Sequence, residues 1–100
     1  MIIAERVLKS TQDPVLEIRV RLFRPEKLTD RIGYACKIQF HEDQSDLDRL
    51  IFGTDEFHAL ELALKLVKVL THTLNSNRGN HLFWIDFPDE LNCGFGALEL

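Results

Sequence analysis

Four histidines, His41, His58, His72 and His81, are the side chains that a metal ion would use first in this sequence. A zinc site needs three or four nitrogen or sulfur ligands close together. His58 and His72 share the polar face of a predicted helix, but they are 14 residues apart, which is about 21 Å along the axis. His41 ends one predicted strand and His81 begins another, so these two could meet near a sheet edge. We expect solvated histidines and no bound metal.

The two cysteines, Cys36 and Cys93, are far apart in the chain, and neither belongs to a C-x-x-C pair. This spacing does not support a zinc site or thioredoxin-like redox chemistry. Cys93 stands between Asn92 and Gly94 in a predicted turn, where a nucleophilic thiol would need a histidine within hydrogen-bond reach. No local signature supplies that base. We therefore expect two free thiols, with Cys36 inert in the core.

Two short patterns resemble ligand-binding loops but do not have the required spacing. The stretch EDQSDLD, residues 42–48, carries several carboxylates, yet it lacks the central glycine and the terminal glutamate of a calcium-binding EF-hand. We predict a solvated acidic loop there. The Gly-Phe-Gly at 94–96 neither follows a predicted strand nor opens a helix, so it is not a dinucleotide-type phosphate cradle. No cofactor is expected.

Acidic and aromatic residues are mixed in the stretch WIDFPDE, residues 84–90. An acidic rim around aromatic anchors is typical of a protein-binding surface. The predicted partner-binding residues are Trp84, Phe87, Asp89 and Glu90. Paired carboxylates can also perform acid–base chemistry. The alternative is therefore an enzyme or small-ligand binder that uses Asp86, Glu90, Cys93 or a histidine. The binding surface is favoured because no complementary nucleophile or base is evident, and no catalytic residue is assigned.

The formal net charge of −4 is unevenly distributed along the chain. Residues 1–40 hold eight Lys/Arg against five Asp/Glu, or +3, whereas residues 41–100 hold four against eleven, or −7. A dedicated nucleic-acid binder usually has a basic balance and clustered Lys/Arg, so we expect no nucleic acid. The outward row of Arg19, Arg21 and Arg24 is expected to pair across strands with neighbouring glutamates, Glu5 and Glu17.

The composition, 45% hydrophobic and 28% charged, is that of a soluble globular protein. No apolar run approaches the roughly 18 residues that a membrane span requires. The first ten residues, MIIAERVLKS, include Glu5 and Arg6 and no small-residue cleavage site, so they do not resemble a secretory signal. We expect a cytoplasmic protein with a single domain, residues 1–100, and no membrane contact.

The elements that position these residues are predicted to be strands followed by one helix. Apolar and polar residues alternate in 15–24, VLEIRVRLFR, and in 34–41, YACKIQFH, and a period of two indicates half-buried antiparallel strands. Residues 2–9, 49–53 and 81–86 are further predicted strands. The connections are short enough for antiparallel neighbours. The predicted fold is α+β: a four- to five-stranded, mainly antiparallel meander sheet with one long helix packed on one face.

One helix is predicted to start at Thr54 or Asp55 and to continue to about Ser76. Thr54 or Asp55 can cap its start, and the Asn and Gly residues of 75–80 mark its end. Its apolar side chains cover about twice the ~100° that contact with one sheet requires. We therefore expect a second layer of coverage, either from residues 82–95 or from another chain, which would be a second copy or a different protein.

Five stretches together resemble a family of small bacterial proteins known only as a domain of unknown function. These are AERVL, the strand that ends at Pro25, the Y-x-C strand, FGTDEFHALELAL and LFWID. The helix start matches a Gly-x-Asp-x-x-x-Ala-Leu-x-x-Ala-Leu motif. Its residues are Gly53, Asp55, Ala59, Leu60, Ala63 and Leu64. The resemblance implies an antiparallel sheet with one covering helix, and it supplies no catalytic residues.

These patterns lead to one functional expectation. The protein is predicted to be a cytoplasmic interaction module, immunity-like or an adaptor, that binds a protein partner or a second copy of itself through the region around Trp84, Phe87 and Asp89.

Overall fold

A computed structural model describes residues 1–98 and consists of an antiparallel sheet with one long helix across one face. The elements are β1 (Ile2–Ser10), β2 (Glu17–Phe23), β3 (Glu26–Lys27), β4 (Tyr34–Glu42), β5 (Ser45–Gly53), α1 (Glu56–Asn77), β6 (Leu82–Trp84) and a 3₁₀ turn (Leu91–Gly94). The predicted α+β class is confirmed, with six strands instead of four or five. Within this part of the chain, no helix is both long and apolar enough to cross a membrane.

The additional strand, β3, continues β2 beyond a break. Strand β5 pairs with the whole length of β4 on one side, so both β2 and β3 must lie on the other side. Leu22 is paired with Ile38, and Glu26 with Ala35, which is a change of one residue in register. Pro25 lies in the break and has no N–H to donate to the ladder. The sheet order across its width is therefore β6, β1, β2 with β3, β4, β5.

Strand β5 begins earlier than expected, so the prediction of an acidic loop over residues 42–48 is wrong. The connection from β4 is a two-residue turn, and Asp43 adopts the positive φ of 45° that a tight hairpin favours. Asp46 is then paired with His41, and Asp48 with a glutamine of β4. Because these carboxylates have cross-strand partners, they can lie in a strand, although the acidic composition alone indicated a loop.

The core lies between the sheet and α1. Its buried strand residues are Leu8, Ile18, Val20, Cys36, Ile38, Phe40 and Leu82. Helix α1 contributes a buried stripe of small residues, Ala59, Ala63, Val67 and Thr71, which recur every fourth position. Residues at this spacing share one face of a helix. Their small size lets the helix backbone approach the sheet closely, and Cys36 lies in the core as predicted.

The start of α1 depends on Gly53 and Asp55. The Asp55 carboxylate accepts a hydrogen bond of 2.8 Å from the backbone N–H of His58, so Asp55 is the N-cap. At Gly53 the chain turns so tightly that a Cβ would lie 2.3 Å from the Ala59 nitrogen and 2.6 Å from its Cα. The glycine, aspartate and alanine of the helix-start motif therefore form one packing unit.

The segment 82–95 covers one flank of α1, as the width of the apolar stripe predicted. The Asn92 side-chain amide donates a hydrogen bond of 3.2 Å to the backbone oxygen of Lys68. The coverage is incomplete, because Leu64 is still 50% exposed and Val69 48% exposed. The internal segment therefore accounts for only part of the apolar surface of the helix.

We predict that Gly53→Ala lowers the free energy of unfolding by about 3 kcal/mol, because the new methyl group must displace the first turn of α1. Gly96→Ala is the control. A Cβ at Gly96 meets nothing within 4 Å, although its φ is +83°, so it should cost only about 1 kcal/mol. Urea denaturation followed by circular dichroism measures both. Equal stability of the two variants would contradict the packing of Gly53.

Candidate functional site

Arg6 lies between two aromatic rings on the helix-covered face of the sheet. Its guanidinium carbon is 3.8 Å from the ring centroid of Trp84 and 4.2 Å from that of Phe95. Its Nη1 donates a hydrogen bond of 3.2 Å to the backbone oxygen of Cys93. Burial lowers the pKa of Arg6, but arginine stays charged at neutral pH. One cation thus connects β1, β6 and the C-terminal turn, through contacts that desolvation strengthens.

Three consecutive residues beside the guanidinium have left-handed backbone. Asn92, Cys93 and Gly94 have φ of 51°, 55° and 85°. Such a conformation costs of order 1–3 kcal/mol for a residue other than glycine, so the surroundings must hold it. The Asn92 amide provides one restraint, because it donates to the backbone oxygens of Lys68 and Gly96, at 3.2 and 3.1 Å. The turn is therefore fixed to α1 on one side and to the arginine on the other.

Cys93 is buried, and desolvation raises the pKa of its thiol, although the charge of Arg6 acts in the opposite direction. A thiol with a raised pKa is protonated at neutral pH and is a poor nucleophile. Among the hydrogen bonds of residues 1–98, none joins a histidine to Cys93. Burial also raises the pKa of Cys36, whose thiol contacts the Phe23 backbone oxygen at 3.3 Å. Both cysteines are free, as predicted.

Residues 84–91, which we call the aromatic–acidic turn, extend outward from the Arg6 stack. The N–H of Phe87 donates to the Trp84 oxygen and the N–H of Glu90 to the Phe87 oxygen, both at 3.2 Å. The rings of Trp84 and Phe87 are 4.7 Å apart and tilted by 53°, a favourable aromatic arrangement. Three large apolar side chains reach solvent here: Ile85, Phe87 and Leu91 are 46%, 55% and 65% exposed.

Acidic side chains surround these apolar residues. Asp86, Asp89 and Glu90 are exposed and line an open depression of about 340 Å³ together with Phe87. In the described part of the chain, none of these three carboxylates forms an ion pair. The four predicted partner-binding residues lie together in this turn. Trp84 is half-buried at its base, and the other three are at its surface.

The face of the sheet opposite α1 carries a polar network that crosses four strands. Glu5 accepts hydrogen bonds of 2.8 Å from both Arg19 and Arg21. Arg21 also donates to the Gln39 oxygen at 3.1 Å, and the Gln39 amide donates to Asp48 at 3.0 Å. The bond from Arg21 is the main reason why the pKa of Glu5 is lowered. The predicted pairing is found for Arg19 and Arg21, which both bond to Glu5, so these two arginines do not form a free basic patch. Within residues 1–98, the predicted ion pair of Arg24 is not found.

His41 and Asp46 form a pair on this open face, which the residue pattern did not predict. The His41 Nδ1 is hydrogen-bonded to the Asp46 carboxylate, which fixes the orientation of the imidazole ring. His41 is directly paired with Arg19 across the strands, and both line a depression of about 480 Å³. His41 and Asp46 are equally far from the two-residue turn between β4 and β5. The sequence contains this signal, but it has no meaning as long as residues 42–48 are taken as a loop.

The remaining histidines do not converge on a common site. The His58 Nδ1 accepts a hydrogen bond of 3.0 Å from the Thr54 N–H at the start of α1. His81 precedes β6, and two strands, β1 and β2, lie between β6 and the strand that carries His41. The meeting of His41 and His81 considered from the sequence therefore does not occur. No group of three His, Cys, Asp or Glu residues within residues 1–98 has a metal-binding arrangement.

An antiparallel sheet with one covering helix and a C-terminal turn defines the structural class. The chain belongs to the family described as Domain of unknown function (DUF6968), whose model matches residues 4–95. That match extends from β1 through the Arg6 stack and the 3₁₀ turn. Comparisons with curated proteins and with solved structures found no match. Membership in this family therefore identifies the domain but assigns it no activity.

We predict that Gly94→Ala disrupts the Arg6 stack, because a Cβ there would lie 2.2 Å from Trp84 Cε3 and 2.8 Å from Arg6 Nη1. The sequence has one tryptophan, so the fluorescence of Trp84 reports on this site alone. Its emission should shift to longer wavelength, with a loss of about 3 kcal/mol in stability. Gly96→Ala should leave the emission unchanged. An unshifted spectrum for Gly94→Ala would contradict the close packing at this position.

The buried thiols lead to a prediction about pH. Because burial raises the pKa of Cys36 and Cys93, the folded state keeps protons that the unfolded state loses above about pH 8.5. Their contribution to stability is complete below that pH and decreases as the pH rises through it. Native protein should react slowly with Ellman's reagent at pH 7.5, whereas unfolding in urea should expose both thiols. Rapid labelling of native Cys93 would show that the thiol is accessible.

Proposed function

We propose that this protein is a small cytoplasmic bacterial protein-interaction module, an adaptor or an immunity-like protein, and that its partner binds the aromatic–acidic turn. The observation that carries the proposal is the group of exposed apolar side chains, Ile85, Phe87 and Leu91, beside three carboxylates. Single exposed apolar residues are common on proteins, but grouped ones with a polar rim mark interaction sites.

The support beneath the turn makes it suitable for binding. Trp84 is clamped by Arg6, and Phe87 packs on Trp84 at 4.7 Å, so the exposed ring has a defined position. Two backbone hydrogen bonds of 3.2 Å further restrict the segment. A preorganised surface loses less conformational entropy on association than a flexible one. Phe87 is the central anchor of this surface, because aromatic side chains at the centre of interfaces contribute most of the binding energy.

The chemistry of the turn defines the kind of partner. Asp86, Asp89 and Glu90 give it a local formal charge of −3, and no ion pair within residues 1–98 neutralises them. The complementary surface has an apolar pocket for Phe87 and a rim of lysine or arginine. Complementary charges of this kind mainly accelerate association and exclude wrong partners. The bacterial origin in this proposal rests on the resemblance carried by the helix-start motif.

The test begins by cross-linking the protein in its source cells, identifying the partner and purifying it. Phe87→Ala should raise the dissociation constant of the purified pair by about 30-fold, the loss expected for one aromatic anchor. Ile32→Ala is the matched control, because Ile32 is 92% exposed and lies outside the turn. Isothermal titration calorimetry measures both variants. The proposed surface is wrong if the folded Phe87→Ala variant binds as tightly as the wild type.

Charge reversal tests the second half of the proposal. Replacing Asp89 and Glu90 by lysine should slow association and weaken its dependence on salt concentration, with a smaller change in the dissociation rate. Surface plasmon resonance at low and high salt separates the two rates. A partner whose association is insensitive to salt would contradict a basic binding rim.

A small-ligand function is the second candidate, and it would use His41 instead of the residues near Cys93. Burial raises the pKa of the Cys93 thiol and keeps it protonated at neutral pH. Asp86 and Glu90 are exposed, and neither is ion-paired with a basic side chain of residues 1–98. The observation in favour of His41 is its pairing with Asp46 beside Arg19, at the edge of the 480 Å³ depression. Ligand-induced changes in the NMR resonances of His41, without changes at Phe87, would favour this function over protein binding.

A further inference from the structure

Strand β5 is a long edge strand with an open side. Residues Ser45–Gly53 pair with β4, and within the described residues no other strand pairs with them. Natural proteins usually protect such edges with charged side chains, proline, a bulge, a short strand or a covering segment, and of these β5 has only charged side chains among the described residues. Strand β5 has nine residues, contains no proline, and keeps one uninterrupted register with β4 from Ser45 to Gly53. Its open side therefore has the geometry of a pairing surface.

The hairpin turn determines which backbone groups point outward. In a two-residue hairpin, the flanking residues, here Glu42 and Ser45, exchange both of their hydrogen bonds, and this pattern alternates along the strands. Odd-numbered residues of β5 thus bond to β4. The N–H and C=O groups that project from the open edge belong to Asp46, Asp48, Leu50 and Phe52.

Apolar side chains accompany these backbone groups on both faces of the strand. Leu50 is 58% exposed and Phe52 is 48% exposed on the open face of the sheet, and Leu47 is 37% exposed on the helix face. Charged residues are interspersed among them, namely Asp46, Asp48 and Arg49. The edge thus carries apolar surface together with charges that decide which pairing registers are tolerated.

We propose that a second copy of this chain pairs with β5 in antiparallel orientation, with the two-fold axis at Leu50, so that the two sheets become one. An antiparallel pair of identical strands is self-complementary, as an isologous dimer interface requires. This interface is separate from the aromatic–acidic turn, because β5 and β6 are opposite edges of the sheet. The dimer therefore leaves both turns free to bind a partner.

The charges on β5 select this register over its neighbours. An axis at Asp48 would place two aspartates directly opposite each other, and an axis at Arg49 would do the same with two arginines. Like charges in opposite positions destabilise a sheet. An axis at Leu50 instead places Leu50 opposite itself, Asp48 opposite Phe52 and Arg49 opposite Ile51, so no like charges are directly opposed.

A charge next to the strand also fits this arrangement. The guanidinium of Arg31 lies over the ring of Phe52, 5.0 Å from its centroid. In the proposed register, Asp48 of the second copy is directly opposite Phe52. The positive charge of Arg31 is thus brought near an aspartate of the other subunit, twice in each dimer. This contact favours the second copy over an uncharged extended peptide as the occupant of the edge.

The first test measures the mass of the full chain in solution by light scattering and sedimentation across a range of concentrations. The wild type should reach the dimer mass, and Leu50→Glu should raise the dissociation constant about a hundredfold, because two glutamates then meet at the axis. Lys37 is paired with Leu50 across β4 and β5, so the new carboxylate has a partner within the folded monomer. Leu91→Glu, at a leucine that is 65% exposed in the aromatic–acidic turn, is the matched control.

The second test reports the register through disulfide cross-linking. Directly opposed strand residues have Cα atoms about 5.5 Å apart, within the range of a disulfide. Leu50→Cys should therefore form a covalent dimer under mild oxidation. Asp46→Cys should not, because the register places Asp46 opposite Thr54 of the second copy. A wild type that stays monomeric at every concentration, or equal cross-linking by both variants, overturns the proposal.

Discussion

The stacking of Arg6 between Trp84 and Phe95 is the interaction on which the segment after α1, from β6 through the 3₁₀ turn, depends. Strand β6 has only three residues, too few to hold the following turn by backbone pairing alone. The guanidinium adds two aromatic contacts and a hydrogen bond to the Cys93 backbone oxygen. A partly buried charge is tolerated only when such partners surround it. The left-handed residues beside it, and the glycine that fits against Trp84, follow from this requirement.

The two faces of the sheet carry different kinds of side chains: apolar ones under α1, and a hydrogen-bonded polar network on the opposite face. On the face under α1, small helix residues such as Ala59 and Ala63 let the backbone approach an apolar layer. On the opposite face, Glu5, Arg21 and Gln39 belong to a hydrogen-bonded network in which opposite charges are matched. Among the described residues, the aromatic–acidic turn presents apolar and acidic side chains to solvent, and the open side of β5 presents backbone groups that no other strand pairs. These two surfaces lie at opposite edges, so a dimer and a bound partner are compatible.

The sequence predicted most of the strands and the helix because their hydrophobic periods are local signals. Asp55 was identified as a possible cap because capping depends on residues three or four positions apart. The prediction of a loop at 42–48 is wrong because the acidic composition suggested a solvated segment, whereas residues 45–48 belong to β5. Carboxylates such as Asp48 become acceptable in a sheet once a cross-strand partner is present, and that partner depends on register. Strand β3 was not predicted, because a strand of two residues is too short to show an alternation of apolar and polar side chains.

The sequence by itself determined the α+β class, the helix with a cap at Thr54 or Asp55, and the grouping of Trp84, Phe87, Asp89 and Glu90. The structure selected Asp55 as the cap. These four residues are near one another in space because they are near one another in the chain. Only the tertiary structure decided the contact between Arg6 and Cys93, which are 87 residues apart, the pairing of His41 with Asp46, and the open edge of β5. Hydrophobic periodicity indicates which side of an element is buried, but it does not identify the neighbour. Long-range contacts follow from strand order and register, and packing of the complete core selects both.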